Sequence, residues 1–294
     1  MKKPLPIVLG WLAVFTSAFC FYFSTVVIRW SRTEVAIDPA YFAFFRFITG
    51  FMLVCLLMAL TGQRLRPRKY HLLVGRALSN SVAVYCFYMA VTHASVAEAN
   101  ILNMTYPVFV ALLSWIFLSR QRDGLALMMV AVAFVGIWLI VAPGEIRFKT
   151  GSLWGLASGL SASGAILYLN ISRQYHDVNT VLFFMFGLGA LFTFAAFHRQ
   201  FFWPDMHALY YLALCGAFGI AGQFLLTLGF RYVTAVEGSI ISSMRIFLAA
   251  LLGPLMVAED PLNAIGWLGA LLLFSANAVL AIRRARTPGA ASRN

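Results

Sequence analysis

Two stretches of the sequence resemble each other and decide the fold: SVAEANILNMTYPVFVALLSWIFLSR (Ser95–Arg120) and TAVEGSIISSMRIFLAALLGPLMVAE (Thr234–Glu259). When they are aligned, Glu98 falls on Glu237. Each stretch begins with a polar turn, carries polar residues for about three helical turns, and then becomes apolar. The repeat predicts a duplicated membrane hairpin, and duplicated sets of membrane helices are typical of transporters.

The composition places most of the chain in lipid. Of the 294 residues, 62% are hydrophobic and only 11% are charged. A soluble domain of this length could not keep so many apolar side chains away from water. Runs of about 20 apolar residues span a bilayer as helices. We predict ten spanning helices, at about residues 5–28, 39–61, 71–92, 96–118, 124–142, 151–171, 179–197, 207–230, 234–257 and 262–282.

The ten predicted helices divide into two halves of five. The pair Pro143-Gly144 interrupts the apolar pattern after the fifth helix, so we place the boundary there and predict repeats at residues 1–144 and 145–294. Because each half holds an odd number of helices, the two copies must enter the membrane from opposite sides. The predicted fold is therefore an all-α integral membrane protein built as two inverted five-helix repeats, which gives transporters two gates related by pseudo-symmetry.

The net charge of +12 reports orientation in the membrane. If the N-terminus is inside, lysine and arginine concentrate in the inside tails and connections, above all in GQRLRPRKY at residues 62–70. This positive-inside bias predicts a membrane protein with both termini in the cytoplasm, and the first helix is expected not to be cleaved. No basic face is continuous enough for nucleic acid. We expect a small-molecule substrate, the lipid bilayer, no nucleic acid, and a monomer or homodimer.

Motifs for cofactors and catalysis are not found. The four cysteines lie inside predicted helices, where they suit packing better than a disulfide framework or a metal site. The sequence holds no H-E-x-x-H, G-x-S-x-G or G-x-x-x-x-G-K-[ST] motif, so neither an intramembrane enzyme nor an ATPase is indicated. We therefore expect no cofactor, no metal and no enzymatic activity.

Two interpretations are open for Glu98 and Glu237. Together with Ser95 and Thr234, each matches a helix capping box, in which the hydroxyl accepts from the N3 amide and the carboxylate reaches back to the N-cap amide. A carboxylate near lipid is costly unless it is paired or hydrated. The other interpretation is therefore a proton or cation site at the mouth of each gate.

Arg245 is the most informative single residue, because it lies near the middle of the ninth predicted helix. An unpaired arginine at that depth costs at least about 2.5–3.5 kcal/mol, so it should face a cavity or a partner. It belongs to one of two aligned polar stripes. The stripes are Asn100-Asn103-Tyr106 and Ser239-Ser242-Arg245. Each covers about a third of a helix surface and predicts one wall of a central site, with interhelical hydrogen bonding as the alternative.

Three residues outside the stripes complete the candidate substrate-binding set: Tyr85 and Tyr88 of the third helix and Gln223 of the eighth. Two further membrane arginines are interpreted differently. Arg76 is close enough to the inside end of the third helix to snorkel to the surface. For Arg46 in the second helix, structural pairing and a functional role both stay open.

The residues Ala97–Leu118, with their pattern T-x-P-x-F-x-A-L-L-x-W-x-F-L, resemble the EamA branch of the drug/metabolite transporter superfamily. The sequence FFRF in the second helix and the weaker second copy share the resemblance. It implies an inner-membrane carrier of small metabolites, often amino acids or related compounds, with a central cavity lined by helices 1, 3, 4, 6, 8 and 9. Two positions depart from the pattern: Arg120 replaces an acidic residue that Glu259 keeps in the second copy, and Ile246 replaces the proline of the first.

The residues and the resemblance together predict a secondary transporter that works by alternating access. Arg245 would bind a substrate carboxylate, the stripes would orient the substrate, and Glu98 and Glu237 would bind protons or an ammonium group. This favours a small polar or zwitterionic, amino-acid-like cargo, a class that includes amino-acid-derived metallophores. The resemblance to the family implies export. A non-transporting receptor or assembly subunit and a drug efflux carrier are the alternatives.

Overall fold

The computed structural model describes residues 4–117, 124–141, 150–172, 175–229, 232 and 241–286. Within these ranges the regular structure is helical, and the helices are numbered here in chain order. The α-helices are α1 Pro4–Glu34, α2 Pro39–Thr61, α3 Tyr70–His93, α4 Val96–Asn103, α5 Tyr106–Phe117, α6 Gly124–Val141, α7 Thr150–Ser172, α8 Val178–Phe197, α9 Met206–Gly229, α10 Arg245–Val257 and α11 Ala264–Arg286. A short 3-10 helix, His198–Gln200, follows α8.

Six helical stretches are long and apolar enough to cross a membrane. They are Val8–Glu34, Pro39–Thr61, Tyr70–His93, Thr150–Leu169, Val178–Gln200 and Met206–Gly229. Shorter apolar helices lie at Met128–Ile140, Ile241–Val257 and Ala264–Leu280. The chain is therefore an all-α, multi-pass membrane protein, as its composition predicts.

Local sequence signals set the ends of several helices. The Asp38 side chain accepts a hydrogen bond from a backbone N–H two residues later at 2.7 Å, and Pro39 then begins α2. Gly62 ends α2 in the left-handed conformation, with φ of 64°. The Asp177 side chain caps α8 by accepting from Thr180 N at 3.3 Å.

The first helix is longer than predicted. The polar residues from Arg29 onward predict a connection, but α1 continues to Glu34. No glycine or proline lies between Gly10 and Pro39, so nothing breaks the helix at Arg29. Arg29 and Arg32 consequently lie on the last turns of α1, where their side chains reach neighbouring helices.

The predicted fourth helix is divided into α4 and α5 by a turn at Met104 and Thr105. Pro107 has no N–H to donate, and its ring would clash with the Asn103 carbonyl if the helix were continuous. Thr105 N donates instead to Leu102 O, at 3.1 Å. The break therefore interrupts a membrane segment directly after a polar residue.

The second copy is broken at the aligned position, although Ile246 takes the place of the proline there. Residues 241–243 are helical, Met244 forms a turn, and α10 begins at Arg245. Met244 N donates to Ile241 O at 3.1 Å, which matches the bond at the first break. Proline is therefore not required for this geometry.

Asn277 of α11 connects the two breaks. Its Nδ2 donates to Met104 O at 2.9 Å and lies 3.4 Å from Ser243 Oγ, and the residue is fully buried. Backbone groups released by a broken helix need such partners in lipid. The two breaks are therefore neighbours in the middle of the bundle.

The helices pack in pairs around the breaks. α1 packs on α9, α3 on α7, α2 on α8, α4 on α10 and α6 on α11. One apolar core is built mainly by α1, α2, α3, α8 and α9. The other is built by α4, α5, α6, α10 and α11. The broken helices lie where the two cores meet.

Small residues bring α7 close to α3 and α4. Gly151, Gly155 and Gly159 recur at every fourth residue, a spacing that allows close helix contact in lipid. A Cβ on Gly151 would lie 2.7 Å from Ala94 Cβ, and one on Gly155 would lie 2.8 Å from Leu102 Cβ. This close approach fixes the position of the first break against α7.

Gly159→Ala should destabilise the protein, because the added methyl would overlap Thr105 Oγ1 and lie 2.9 Å from Leu102 O. Overpacking of this kind costs about 1–3 kcal/mol. Gly164→Ala is the matched control, since its methyl would come no closer than 3.4 Å to Ser79 Oγ. Thermal unfolding in detergent should show a midpoint several degrees lower for Gly159→Ala only. Equal midpoints for the two variants would contradict the tight packing.

Candidate functional site

A cavity of about 120 Å³ lies beside the two helix breaks. Its walls come from α1, α2, α3, the α4–α5 break, α7, α9 and the segment that leads into α10. The polar residues that line it are Ser17, Arg46, Arg76, Asn80, Asn103, Tyr106, Gln223, Ser242 and Arg245. The cavity is therefore enclosed by helices from both aligned halves of the chain.

The structure brings five of the predicted binding residues together in this cavity. They are Asn103, Tyr106, Gln223, Ser242 and Arg245. Arg245 is 5% exposed and donates through Nη2 to Asn103 Oδ1. Asn103 Nδ2 in turn donates to Ser158 Oγ of α7 at 3.0 Å. Tyr106 and Arg245 are the first residues of α5 and α10, so the breaks carry both side chains to the cavity wall.

Two further arginines line the same cavity. Arg46 of α2 and Arg76 of α3 are each 3% exposed. The prediction that Arg76 snorkels to the surface is therefore wrong, because its side chain is enclosed by the bundle. Arg46 donates to Tyr88 OH at 3.2 Å. Tyr88 is a structural partner for Arg46, as one of its two interpretations allows, but the partner is neutral and Arg46 forms no ion pair with the described residues.

Aromatic rings and a glycine accommodate the guanidinium groups. The Phe21 ring centroid lies 5.4 Å from Arg46 Cζ and 5.8 Å from Arg245 Cζ. The Phe87 ring centroid lies 5.2 Å from Arg245 Cζ. The electron-rich ring faces attract cations. Gly219 leaves room for Arg46, since a Cβ there would lie 2.8 Å from its Nε.

Carboxylates do not line the cavity among the described residues. The acidic residues of the described part are Glu34, Asp38, Glu98, Asp177, Asp205, Glu259 and Asp260, and all of them lie elsewhere. Glu237 and Ser239, which we predict for the site, lie outside the described residues. The described walls therefore combine three positive charges with neutral polar and apolar groups.

One of the two hydrogen bonds of the predicted capping box is present at Ser95 and Glu98. Ser95 Oγ accepts a hydrogen bond from Glu98 N at 3.0 Å and so caps α4. The Glu98 carboxylate accepts from Ser152 Oγ of α7. The Glu98 side chain therefore links α4 to α7, one helix from each half of the chain, and it does not line the cavity.

Three predicted binding residues lie away from the cavity walls. Asn100 is fully buried, and its amide nitrogen donates to a threonine of α1 and to the backbone of its own helix. Tyr85 stacks on Phe197, with ring centroids 4.6 Å apart. Tyr88 is fully buried and does not line the cavity, but its hydroxyl accepts a hydrogen bond from Arg46, which does. A polar stripe thus indicates an inward face without specifying which member reaches the cavity.

Sequence reasoning missed Asn80 and misplaced Arg76, although the two residues carry a shared signal. They lie one helical turn apart on the same face of α3. Asn80 is 7% exposed and lines the cavity. Two strongly polar residues on one face of a membrane helix are expensive in lipid, and this pair marks the inward face of α3.

A group of contacts joins three helix ends on one side of the cavity, and we name it the Glu259 cluster. Glu259 Oε1 lies 3.2 Å from Arg29 Nε, and its carboxylate accepts from Val96 N at 2.8 Å. Trp30 Nε1 donates to Met256 O at 2.8 Å. Burial raises the pKa of Glu259 above its ordinary value, although the Val96 N–H and the Arg29 charge lower it. The cluster holds the end of α1 against α4 and the end of α10.

Comparison with known proteins identifies the family. The sequence profile of the EamA-like transporter family matches residues 8–142 and again residues 149–282. The pseudopaline exporter of Pseudomonas aeruginosa is 26% identical over 252 residues, which cover 85% of this chain and 88% of that protein. A riboflavin transporter of Brucella anthropi is 24% identical over 270 residues, which cover 87% and 92% of the two chains.

A solved crystal structure has the same fold. It superposes with a TM-score of 0.62 at 21% sequence identity and covers 94% of this chain and 97% of its own. The family and the names of the relatives point to transport of small molecules across a membrane, and not to an enzyme. The chain belongs to the EamA-like transporter family.

Proposed function

We propose that the protein is a secondary transporter that exports a small polar metabolite of amino-acid-like size, bearing at least one carboxylate. The observation that carries the proposal is Arg245, which is buried in the cavity between the two broken helices. Its Nε has no hydrogen-bond partner among the described residues. A guanidinium group binds a carboxylate through two parallel hydrogen bonds, so Arg245 is suited to receive one from the cargo.

The proposed architecture is ten spans in two inverted five-helix repeats. α4 with α5 would form one broken span, and residues 241–243 with α10 the equivalent span. The helix contacts support this arrangement. Exchanging the halves converts the α1–α9 contact into the α3–α7 contact and returns α2–α8, α4–α10 and α6–α11 to themselves. The predicted boundary at Pro143-Gly144 lies outside the described residues.

The Glu259 cluster would be a closed gate. With both termini in the cytoplasm of a bacterial cell, the end of α1 faces the periplasm, and Glu259 holds it against α4 and α10. Alternating access requires two states that differ by only a few kcal/mol. One ion pair and a few hydrogen bonds are of that size, so the cluster is strong enough to close the gate and weak enough to release it.

The names of the relatives support transport, and the size of the cavity supports a compact cargo. One relative is named as an exporter and another as a vitamin transporter. The cavity of about 120 Å³ is small beside the roughly 300–1,000 Å³ of sites for drug-sized ligands. A compact metabolite therefore fits it better than a drug does. Glu98, which joins the two halves through Ser152, and Glu237 stay our candidates for proton or cation coupling.

Arg245→Ala should abolish export while the protein still reaches the membrane in normal amounts. Arg245→Lys should retain part of the flux, because lysine keeps the charge but loses the paired hydrogen bonds. Untargeted metabolomics of the medium would compare cells expressing the wild type, each variant or an empty vector. The exposed Arg199→Ala is the control and should match the wild type. A compound exported equally by the wild type and Arg245→Ala would contradict the assignment.

Glu259→Ala should open the proposed gate, because it removes the ion pair with Arg29 and the acceptor of the Val96 N–H at the start of α4. The reporter is Thr92→Cys, since Thr92 is only 8% exposed near the cluster. In a protein whose four native cysteines are replaced by alanine, a maleimide that cannot cross membranes would be added from outside. Labelling should become several-fold faster in Glu259→Ala.

Asp260→Ala is the matched control for this gate, because Asp260 is the neighbouring acid and is exposed. It should leave the labelling rate of Thr92→Cys unchanged. The gate assignment fails if the two variants label at the same rate.

A further inference from the structure

Four side chains that line the cavity each carry a buried hydrogen-bond donor without an acceptor. Among the described residues, these buried and unpartnered atoms are Arg46 Nε, Arg76 Nε, Asn80 Nδ2 and Arg245 Nε. The residues that carry them are between 3% and 7% exposed. A buried donor without an acceptor is unfavourable. The unpartnered amide oxygens of the described part belong to Asn100 and Asn277, which do not line the cavity.

Three of these four residues are arginines, from α2, α3 and α10. Arg46 and Arg245 lie 5.4 and 5.8 Å from the same Phe21 ring, and Arg76 lines the same small cavity, so the charges repel. Arginine keeps its proton in proteins. The described walls of the cavity therefore bring together three positive charges without a carboxylate to balance them. The positive charges favour an anionic ligand, and the unpartnered donors favour a ligand that accepts hydrogen bonds.

We propose that the cargo is a compact acid with two or more carboxylate groups, held jointly by Arg46, Arg76 and Arg245. The inference rests on the proposed transport function and narrows its cargo. A single carboxylate has two oxygens and cannot compensate three guanidinium groups on three helices. The described walls also offer no carboxylate to an ammonium group, since Glu98 contacts Ser152 instead. The charge of the site therefore favours a polyacid over the zwitterion that the sequence predicts.

The partners of the arginines do not explain their burial. Arg46 contacts Tyr88 OH and Arg245 contacts Asn103 Oδ1, and both partners are neutral. No hydrogen bond or ion pair is recorded for Arg76 with the described residues. A structural arginine stabilises the protein by itself, so its removal lowers stability. An arginine placed for an anionic ligand repels its neighbours, so its removal raises the stability of the unliganded protein and weakens binding.

The test uses four small acids with short aliphatic skeletons and the purified full-length protein in detergent at neutral pH. Butyrate, succinate and tricarballylate carry one, two and three carboxylates, and norvaline carries one carboxylate with an ammonium group. A ligand that binds the folded state raises the midpoint of thermal unfolding according to its affinity. The increase in the midpoint should be smallest with norvaline, larger with butyrate, larger again with succinate and largest with tricarballylate.

Arg76→Gln is the diagnostic variant. It should weaken the binding of succinate and tricarballylate by at least about tenfold and leave the weak binding of butyrate nearly unchanged. Without ligand, its unfolding midpoint should be higher than that of the wild type, because the repulsion from Arg46 is relieved. Arg199→Gln, on the exposed 3-10 helix, is the control and should change neither property.

Three results would overturn the proposal. The first is norvaline or butyrate stabilising the wild type as much as succinate does. The second is no stabilisation by any of the acids at millimolar concentration, since three facing guanidinium groups should respond to a compact polyanion. The third is a lower unliganded midpoint for Arg76→Gln with an unchanged ranking of the acids, which would make Arg76 structural.

Transport itself is tested separately, by counterflow of labelled acids in proteoliposomes. Binding that increases with the number of carboxylates but comes without flux would contradict the proposed transport and keep the class of ligand. Flux that prefers norvaline would keep transport and overturn the polyacid. The two proposals therefore fail in different ways.

Discussion

The burial of three guanidinium groups in one membrane bundle is the constraint on which the rest of the structure depends. Each of Arg46, Arg76 and Arg245 is almost completely enclosed, and a charge in lipid costs at least about 2.5–3.5 kcal/mol. The protein lowers this cost with the faces of Phe21 and Phe87 and with neutral oxygen atoms. These contacts compensate the three positive charges only in part. The charge that stays uncompensated is available to attract an anionic ligand.

The broken helices follow from the same requirement. A continuous helix would present its side chains in a single stripe, whereas the turns at Met104 and Met244 place Tyr106 and Arg245 at the starts of new helices. A break in lipid exposes backbone groups, and Asn277 of α11 donates to the Met104 carbonyl at the first break and to the Ser243 hydroxyl at the second. The glycines of α7 then allow the first break to lie directly against the opposite half.

The sequence contained much of the fold. Apolar runs indicated helices, and the two aligned stretches indeed break at aligned positions, at Met104 and Thr105 and at Met244. Arg245 and Asn103 could be predicted as cavity residues, because strongly polar groups at mid-membrane depth must turn inward. The extension of α1 to Glu34 could also have been read from the lack of a glycine or proline in that segment.

Other parts of the site depend on packing between distant segments. Asn100 and Asn103 lie on one predicted stripe, yet Asn100 meets α1 while Asn103 meets Arg245. Periodicity indicates which face turns inward, but the neighbouring helix decides whether a cavity remains there. Arg76 shows the same limit, because its distance from the helix end permitted snorkelling and only the bundle around it excludes that.

The central claim is that the buried guanidinium groups form one water-accessible site that an anion occupies. The most direct measurement is the labelling rate of Ser242→Cys, whose side chain lines the cavity beside Arg245, in protein without its native cysteines. A small water-soluble maleimide should label it, tricarballylate should slow the reaction, and Arg245→Ala should remove this protection. A cysteine that does not react, or one whose rate tricarballylate leaves unchanged, would contradict the account.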